Sequence, residues 1–410
     1  MYMMGILGSI DNSMSRVFPC LLLLLILISL SATADMVVYE LSLVETDRSL
    51  PPGGSGGPLV FYMDWFGTKM LLRGYGAEDE LRVVDMDLET LAILEDPAPG
   101  FDLKGCSLSY SGEWALAWGS VAGEENDTLV VYNLTSYAIE PDCVPAGIID
   151  IVSIDHANLM GDDVILAVSG RDALGTSRFQ MMGLWDGYIL TDEEVHGNVS
   201  VTEIVNADNM MVLLCEDGSL LRYSSRSWTL SERLEIFPGP FTARSCQNET
   251  MFLLGDGDGQ IVSLPPIGVQ EYINLSAPLA PVQALAFGGI LTNGPCYVSA
   301  VPGSGQGSVI RLWTFNMENW TLMNETEMGS TVTGFVSDPN EQNMFAAAFA
   351  DGSLQFYRIE VNERIIPEPP PPEAPGDDSG DGVLPILAPS VTVSVIVVVA
   401  FYYRRMRKTK

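Results

Sequence analysis

A strand-like pattern recurs seven times between residues 81 and 360. Each copy has a turn rich in Asp, Glu or Gly followed by alternating apolar residues, as in ENDTLVVYNL, EDGSLLRYSS and ADGSLQFYRI. Alternation with a period of two predicts β-strands, and Asp-Gly pairs are typical of tight hairpins. The copies lie 41 to 50 residues apart when they are aligned on Leu81, Leu129, Phe179, Leu220, Ile261, Val309 and Leu354.

Each aligned strand is preceded by two strand-like segments and followed by one. In the fourth repeat the four segments are VTEIVNADN, MMVLLCED, SLLRYSS and WTLSERLEI. Four-stranded sheets that repeat every 40 to 50 residues are the blades of a β-propeller. The sequence therefore predicts an all-β fold with seven blades over residues 35–361.

The last repeat has no fourth strand, because the chain continues into proline and acidic residues. The alternating segment DMVVYELSLVETD, at residues 35–47, precedes the first repeat. We expect this N-terminal strand to become the outer strand of the seventh blade. Closing the ring in this way removes the open edge that a split last blade would leave.

The segment VTGFVSDPNEQNMFAAAFADGSLQFYRIE resembles the strand–turn–strand pattern of WD40-like β-propellers. The resemblance covers about residues 35–361, but the Gly-His start is absent and Trp-Asp occurs only at Trp185 and Asp186. With the terminal segments described next, the chain is similar to membrane-anchored surface propeller proteins of archaea. This resemblance implies a fold and a location and says little about a ligand.

The two ends of the chain carry apolar segments. Residues 1–34 contain the run FPCLLLLLILISL followed by SATA, which is typical of a cleaved secretory signal peptide, with an uncleaved anchor as the alternative. Residues 383–403 are uncharged, and the basic tail 404–410 follows, which predicts a transmembrane helix with a cytoplasmic C-terminus. Between propeller and helix, residues 362–382 are rich in proline and acid and are predicted to form an extended stalk.

Charge is distributed unevenly along the chain. The predicted exported region, residues 35–382, has 52 acidic and 14 basic residues. A field of this sign repels nucleic acid, so we expect no nucleic-acid partner. Seven glycosylation sequons suggest a glycosylated surface protein; they begin at Asn126, Asn133, Asn198, Asn248, Asn274, Asn319 and Asn324.

Cysteines are few, and five remain after the signal peptide. Cys246 follows a predicted inner strand and Cys296 opens the second strand of the next blade, so we expect a disulfide between them; Cys106 with Cys143 is a weaker pair. The chain has no Cys-x-x-Cys motif and only two histidines. We therefore predict no zinc site and no cofactor.

One group of acidic residues is a candidate binding site. Four aspartates fall near the ends of predicted inner strands, where a propeller gathers side chains on one rim of its central channel, and a histidine follows one of them. These residues are Asp64, Asp155, His156, Asp208 and Asp338. Paired carboxylates could bind a cation or support glycoside hydrolysis. The alternative is that each aspartate caps the backbone of its own turn.

Motifs for catalysis are scarce. The segment GGSGG at residues 53–57 fits the G-x-S-x-G pattern but does not lead a strand into a helix, and no serine is singled out near His156 or His196. The segment GDGDGQ, with Asp256 and Asp258, resembles half of a calcium loop but has Gln260 at the third ligand position, which favours a hairpin turn. We predict a non-enzymatic cell-surface propeller that binds an extracellular protein or glycan. The alternative is an extracellular hydrolase or lyase that uses acids at the channel mouth.

Overall fold

A computed structural model describes residues 36–366 of the chain. The described part has gaps at 54–58, 65, 77–79, 141–144, 146, 160–161, 185–187, 196, 198, 208–209, 225–228, 246–251, 265–270, 273–278, 292–293, 316–319 and 342. Residues 37–364 form one compact unit. The other unit, residues 1–36 and 365–410, contributes only Met36, Ile365 and Ile366 to the described part.

The described chain forms seven four-stranded sheets, which are the blades of a β-propeller. The strands of the first three blades are β2 Val60–Met63, β3 Lys69–Arg73, β4 Leu81–Asp85, β5 Thr90–Leu94, β6 Phe101–Leu108, β7 Trp114–Val121, β8 Asp127–Asn133, β9 Ala138–Glu140, β10 Asp150–Leu159, β11 Asp162–Arg171, β12 Ser177–Gly183 and β13 Ile189–Glu194. The next three blades comprise β14 Val201–Ala207, β15 Met210–Cys215, β16 Ser219–Ser224, β17 Leu230–Glu235, β18 Phe241–Arg244, β19 Phe252–Asp256, β20 Ile261–Leu264, β21 Glu271–Tyr272, β22 Ala284–Leu291, β23 Gly294–Pro302, β24 Ser308–Phe315 and β25 Trp320–Glu327. The seventh blade contains β26 Val332–Ser337, β27 Met344–Phe349 and β28 Leu354–Ile366, together with β1 Met36–Leu50. All seven aligned repeat positions fall in the third strand of a blade, which confirms the predicted seven-bladed fold.

The N-terminal strand closes the ring. The seventh sheet has the order β1-β28-β27-β26, so β1 is its outer strand, as predicted. The Thr46 hydroxyl donates to the Phe356 carbonyl at 3.0 Å, and the Asn362 amide donates to the Ser42 hydroxyl at 2.9 Å. In these two contacts the lower-numbered residue of β1 lies beside the higher-numbered residue of β28, so the two strands run antiparallel. The two ends of the propeller chain are thereby held in one sheet.

These two strands continue beyond the rest of their blade. The last described pair between β27 and β28 is Met344 with Arg358, whereas β28 extends to Ile366, inside the range predicted for the stalk. The Asn324 amide of β25 donates to the Leu41 carbonyl of β1 at 2.8 Å, and Leu41 is buried. The extension therefore packs against the sixth blade.

Apolar residues fill the spaces between neighbouring blades. One cluster joins blade seven to blade one, with Met344 and Phe356 packed near Met70 and Val84. Each of these four side chains is at most 2 % exposed. Burial of apolar area at about 25 cal/mol per Å² makes such interfaces the main source of stability in the ring. Each blade depends on both neighbours for its core.

The terminal predictions fall largely outside this part of the chain. Within the described residues, no helix has the length and apolar character needed to cross a membrane. The predicted signal peptide, the predicted span at 383–403 and the basic tail lie outside the described residues.

Candidate functional site

The inner strands share an irregularity at one end of the central channel. Five inner strands each contain a β-bulge, where the pairing with the second strand skips one residue. The skipped residue is the fourth of β6, the third of β10 and the second of β14, β18 and β26. The skipped residue is exposed in every case: Lys104, Val152, Thr202, Thr242 and Thr333. A bulge leaves one residue unpaired and redirects its side chain, so these strands present a ring of exposed side chains at this end.

We call this end of the channel the bulge end and the opposite end, where the inner strands turn into the second strands, the turn end. Val60 and Val152, near the bulge end, are 41 % and 38 % exposed. Met63 and Leu108, at the turn end of their strands, are 2 % and 8 % exposed. Val60 and Val152 are therefore accessible near the bulge end, whereas Met63 and Leu108 are packed into the cores between blades.

A cavity of about 360 Å³ occupies the bulge end. Its walls come from the inner strands of the first, fourth, fifth, sixth and seventh blades. Phe61, Phe241 and Phe335 form part of the apolar lining. The polar lining consists of the bulged threonines Thr202, Thr242 and Thr333 together with Tyr62, Glu203, Arg244 and Gln283.

A charged pair crosses the cavity wall between two blades. The Arg244 guanidinium of β18 donates to the Glu203 carboxylate of β14, and both side chains are partly exposed. Tyr62 lies close to this pair. Burial, with the charges of Cys106 and Glu203, raises the pKa of Tyr62 well above its usual value, and the Asp155 carboxylate adds to the shift. Tyr62 is thus a neutral phenol at physiological pH.

Two of the predicted site residues lie at the turn end and serve their own turns. Asp64 directly follows β2, is 1 % exposed, and accepts hydrogen bonds from the Thr68 amide at 2.7 Å and the Lys69 amide at 2.9 Å. Asp338 directly follows β26 and accepts from the Asn340 amide at 2.9 Å and from Arg48 at 3.2 Å. The turn-capping interpretation describes both of these carboxylates.

The remaining predicted residues are placed differently. Asp155 and His156 were expected near the end of an inner strand but lie in the middle of β10. The pairing of β10 with β11 continues past both residues to the pair Leu159 and Asp162. Asp155 accepts from the Ser107 hydroxyl of the neighbouring blade at 3.0 Å. Asp208 lies outside the described residues.

His156 is a core histidine in this fold. It is 2 % exposed, and burial lowers its pKa from the usual value to about 3. Its ring is therefore neutral at physiological pH. Within the described ranges, no group of three His, Cys, Asp or Glu side chains is arranged to hold a metal ion.

The half calcium loop is a hairpin turn. Both the Asp258 amide, at 3.0 Å, and the Gln260 amide, at 2.8 Å, donate to the Asp256 carboxylate. This carboxylate supports the turn between β19 and β20, as the sequence favoured.

The cysteines of the described residues are buried. Cys106, Cys215 and Cys296 are free thiols, and burial raises the pKa of Cys296 to about 12. Their predicted partners, Cys143 and Cys246, lie outside the described residues; since Cys106 and Cys296 are free, neither predicted disulfide is present in this structure.

Three of the seven sequons are described. Asn126 is exposed, whereas Asn133 and Asn324 are partly buried and their side-chain amides donate to Glu140 at 3.1 Å and to Leu41 at 2.8 Å. The other four, Asn198, Asn248, Asn274 and Asn319, lie outside the described residues together with Trp185 and Asp186. Glycan occupancy stays a prediction.

Sequence reasoning missed the polar residues of the cavity. The signal was present in the inner strands of blades four, five and seven, which begin VTE, FTA and VTG. A threonine at the second position of three separate repeats is a pattern within the repeat, and it marks the bulged position. No family model and no curated protein matches this chain.

Proposed function

We propose that this protein is a cell-surface binding module, a WD40-like propeller held outside the cell by a C-terminal membrane anchor. Its role is to bind a protein or glycan partner without turnover. The apolar segment 383–403, the acidic exported region and the seven sequons support this location.

The observation that carries the proposal is the position of the two chain ends in the ring. The compact propeller unit begins at Val37 in β1 and ends at Arg364 in β28, which are adjacent antiparallel strands. The amide of Gly53, shortly after the end of β1, donates to the Gly352 carbonyl, just before β28 begins. This hydrogen bond lies on the bulge-end side of the seventh blade. The opposite ends of β1 and β28, where the chain enters and leaves the ring, therefore lie on the turn-end side. A tether at that side leaves the open cavity at the bulge end accessible.

A ring of this kind suits binding better than turnover. Asp64 and Asp338 are occupied by their own turns, His156 is buried, and none of the described residues that line the cavity is a histidine. The alternative, a hydrolase or lyase, requires a general acid and base with access to substrate. Among the described residues, Glu203 lines the cavity and is paired with Arg244, and Asp155, which acts on Tyr62, accepts from Ser107.

Two experiments test the proposal. Proteinase digestion of intact cells that express the chain with a C-terminal tag should remove the propeller and leave a short protected tagged fragment. Deletion of residues 383–410 should release the protein into the medium. A propeller that resists digestion in intact cells, and becomes sensitive only after lysis, would contradict the location.

Binding and turnover are tested separately. A pull-down and a glycan array with the full-length chain should identify a partner, and a broad hydrolase and lyase screen should show no turnover. Turnover that is lost on Asp155→Asn or Glu203→Gln would establish the enzyme instead.

A further inference from the structure

We propose that the cavity at the bulge end binds the neutral terminal sugar of a glycan. This inference rests on the proposed binding function and narrows its ligand to a hydroxyl-rich, uncharged group. The ligand would enter from the open end of the channel, away from the side where the chain enters and leaves the ring.

The bulged threonines supply hydrogen-bond acceptors. The Thr202 hydroxyl donates to the Leu214 carbonyl at 3.1 Å, the Thr242 hydroxyl to the Gly255 carbonyl at 3.4 Å, and the Thr333 hydroxyl to the Leu59 carbonyl at 3.3 Å. A hydroxyl whose hydrogen is used in this way retains lone pairs that accept from a ligand. Three blades thus offer the same acceptor at the same position of the cavity rim.

Donors lie beside these acceptors. Arg244 lines the cavity, and its guanidinium donates to the Glu203 carboxylate. The Gln283 side-chain oxygen accepts from the Ser308 hydroxyl at 2.6 Å, which fixes the amide and makes its nitrogen the group available to donate. A sugar hydroxyl both donates and accepts, so alternating donors and acceptors match it better than they match a purely anionic or cationic group.

Charge selects against acidic ligands. Glu203 and Arg244 neutralise each other in the cavity wall, so the described lining residues have no net positive charge to attract a carboxylate or sulfate. The surrounding propeller is strongly acidic, and its field repels anions. Neutral hexoses and N-acetylated hexosamines are therefore expected to bind, and uronic or sulfated sugars are not.

The size and apolar lining fit a small ring. A volume of about 360 Å³ is at the lower limit of ligand pockets, which span roughly 300 to 1,000 Å³. Phe241 is partly exposed and lies at the cavity wall, where its face can pack on the C–H face of a sugar ring. The cavity therefore suits the last one or two sugars of a glycan rather than a long chain.

The test uses the full-length chain in a polyoxyethylene detergent, because sugar-based detergents would compete. The chain is applied to an array of neutral and acidic glycans, and the highest-affinity glycan is then titrated by calorimetry. We expect neutral terminal sugars to bind. Thr242→Val, Arg244→Lys and Glu203→Gln should each weaken this binding by about tenfold, as expected for the loss of one hydrogen bond to a ligand in a partly desolvated site.

Thr90→Val is the matched control, since Thr90 is exposed on the outer strand of the first blade. It should leave affinity unchanged, and all variants should keep the thermal transition of the parent chain. Binding that is confined to acidic glycans, or that survives all three cavity substitutions, would overturn the sugar site. Capture of a protein partner with no array binding would also overturn it while the proposed function stands. The absence of any partner would contradict both.

Discussion

The two ends of the propeller channel use polar residues in opposite ways. At the turn end, Asp64 and Asp338 are buried and accept hydrogen bonds from their own turns. At the bulge end, Thr202, Thr242 and Thr333 are exposed, and their neighbours surround a cavity. The difference shows that polar residues near the channel are not equivalent. Those at the turn end accept hydrogen bonds from their own backbone, whereas those at the bulge end are exposed.

Backbone geometry produces this difference. A turn brings amide groups close to an aspartate, and the carboxylate satisfies them. A bulge removes one residue from the pairing pattern, so that its side chain lies outside the alternation of the strand. The turn end is therefore expected to contribute stability and the bulge end to contribute binding.

Removing the strand that closes the ring should have the largest effect. Deletion of residues 35–46 takes most of β1 from the seventh blade and exposes the edge of β28. We expect aggregation or loss of cooperative unfolding, measured by differential scanning calorimetry. Deletion of residues 367–382 from the predicted stalk is the control and should leave the transition intact. A truncated chain that melts like the parent would show that β1 is dispensable for the ring.

A change at the turn end should cost stability and spare binding. Asp64→Ala removes an acceptor from the Thr68 and Lys69 amides in a buried turn. We expect a loss of about 2 to 4 kcal/mol in the free energy of unfolding, since buried charged acceptors are costly to remove. Urea denaturation measures this loss. Affinity for the array glycan should be unchanged below the unfolding temperature, and a large affinity loss would place Asp64 in the binding site.

Acid should weaken the core through His156. Burial lowers its folded pKa to about 3, whereas an unfolded histidine titrates near 6.5. Between these values the unfolded chain binds a proton that the folded chain rejects, so stability falls as pH decreases through this window. For this residue the loss from pH 7 to pH 5 should be about 2 kcal/mol.

The control for this effect is a pair of histidine variants. In His156→Leu the part of the pH dependence due to this residue should disappear, whatever the stability of the variant at pH 7. In His196→Asn the pH dependence of the parent should persist. Equal pH profiles for the parent and His156→Leu would mean that His156 titrates normally in the folded protein.

The smallest effect on stability should come from the bulge end. Thr202→Val removes a hydroxyl that is exposed and bonds only a backbone carbonyl in the described contacts. We expect less than about 1 kcal/mol of destabilisation. Its effect on glycan affinity should nevertheless exceed that of Asp64→Ala. A larger loss of glycan affinity in Asp64→Ala than in Thr202→Val would contradict the assignment of binding to the bulge end.

The sequence predicted the blades because strand alternation and turn residues repeat along the chain. It also predicted closure by β1, because a blade with three strands needs a fourth. The candidate site was harder to predict. Asp64 and Asp338 follow their inner strands as expected. Sequence alone does not show that both carboxylates accept hydrogen bonds from the amides of their own turns.

Bulges explain why the cavity residues were missed. A single skipped residue shifts the alternation, so Thr202 and Thr242 do not follow the pattern of a regular strand. The Glu203–Arg244 pair joins two blades through side chains that are far apart in sequence. Only the packing of the ring brings those two residues together.

Hydroxyl-radical footprinting tests the central claim, that binding occurs at the bulge end, most directly. Each end has aromatic reporters: Tyr62 and Phe241 line the cavity, while Phe66 and Tyr110 form an edge-to-face pair at the turn end with centroids 6.0 Å apart. The full-length chain is labelled alone and when saturated with its highest-affinity array glycan. We predict that labelling of Tyr62 and Phe241 falls while that of Phe66 and Tyr110 stays constant. Protection of Phe66 and Tyr110 with no change in the cavity would contradict the account.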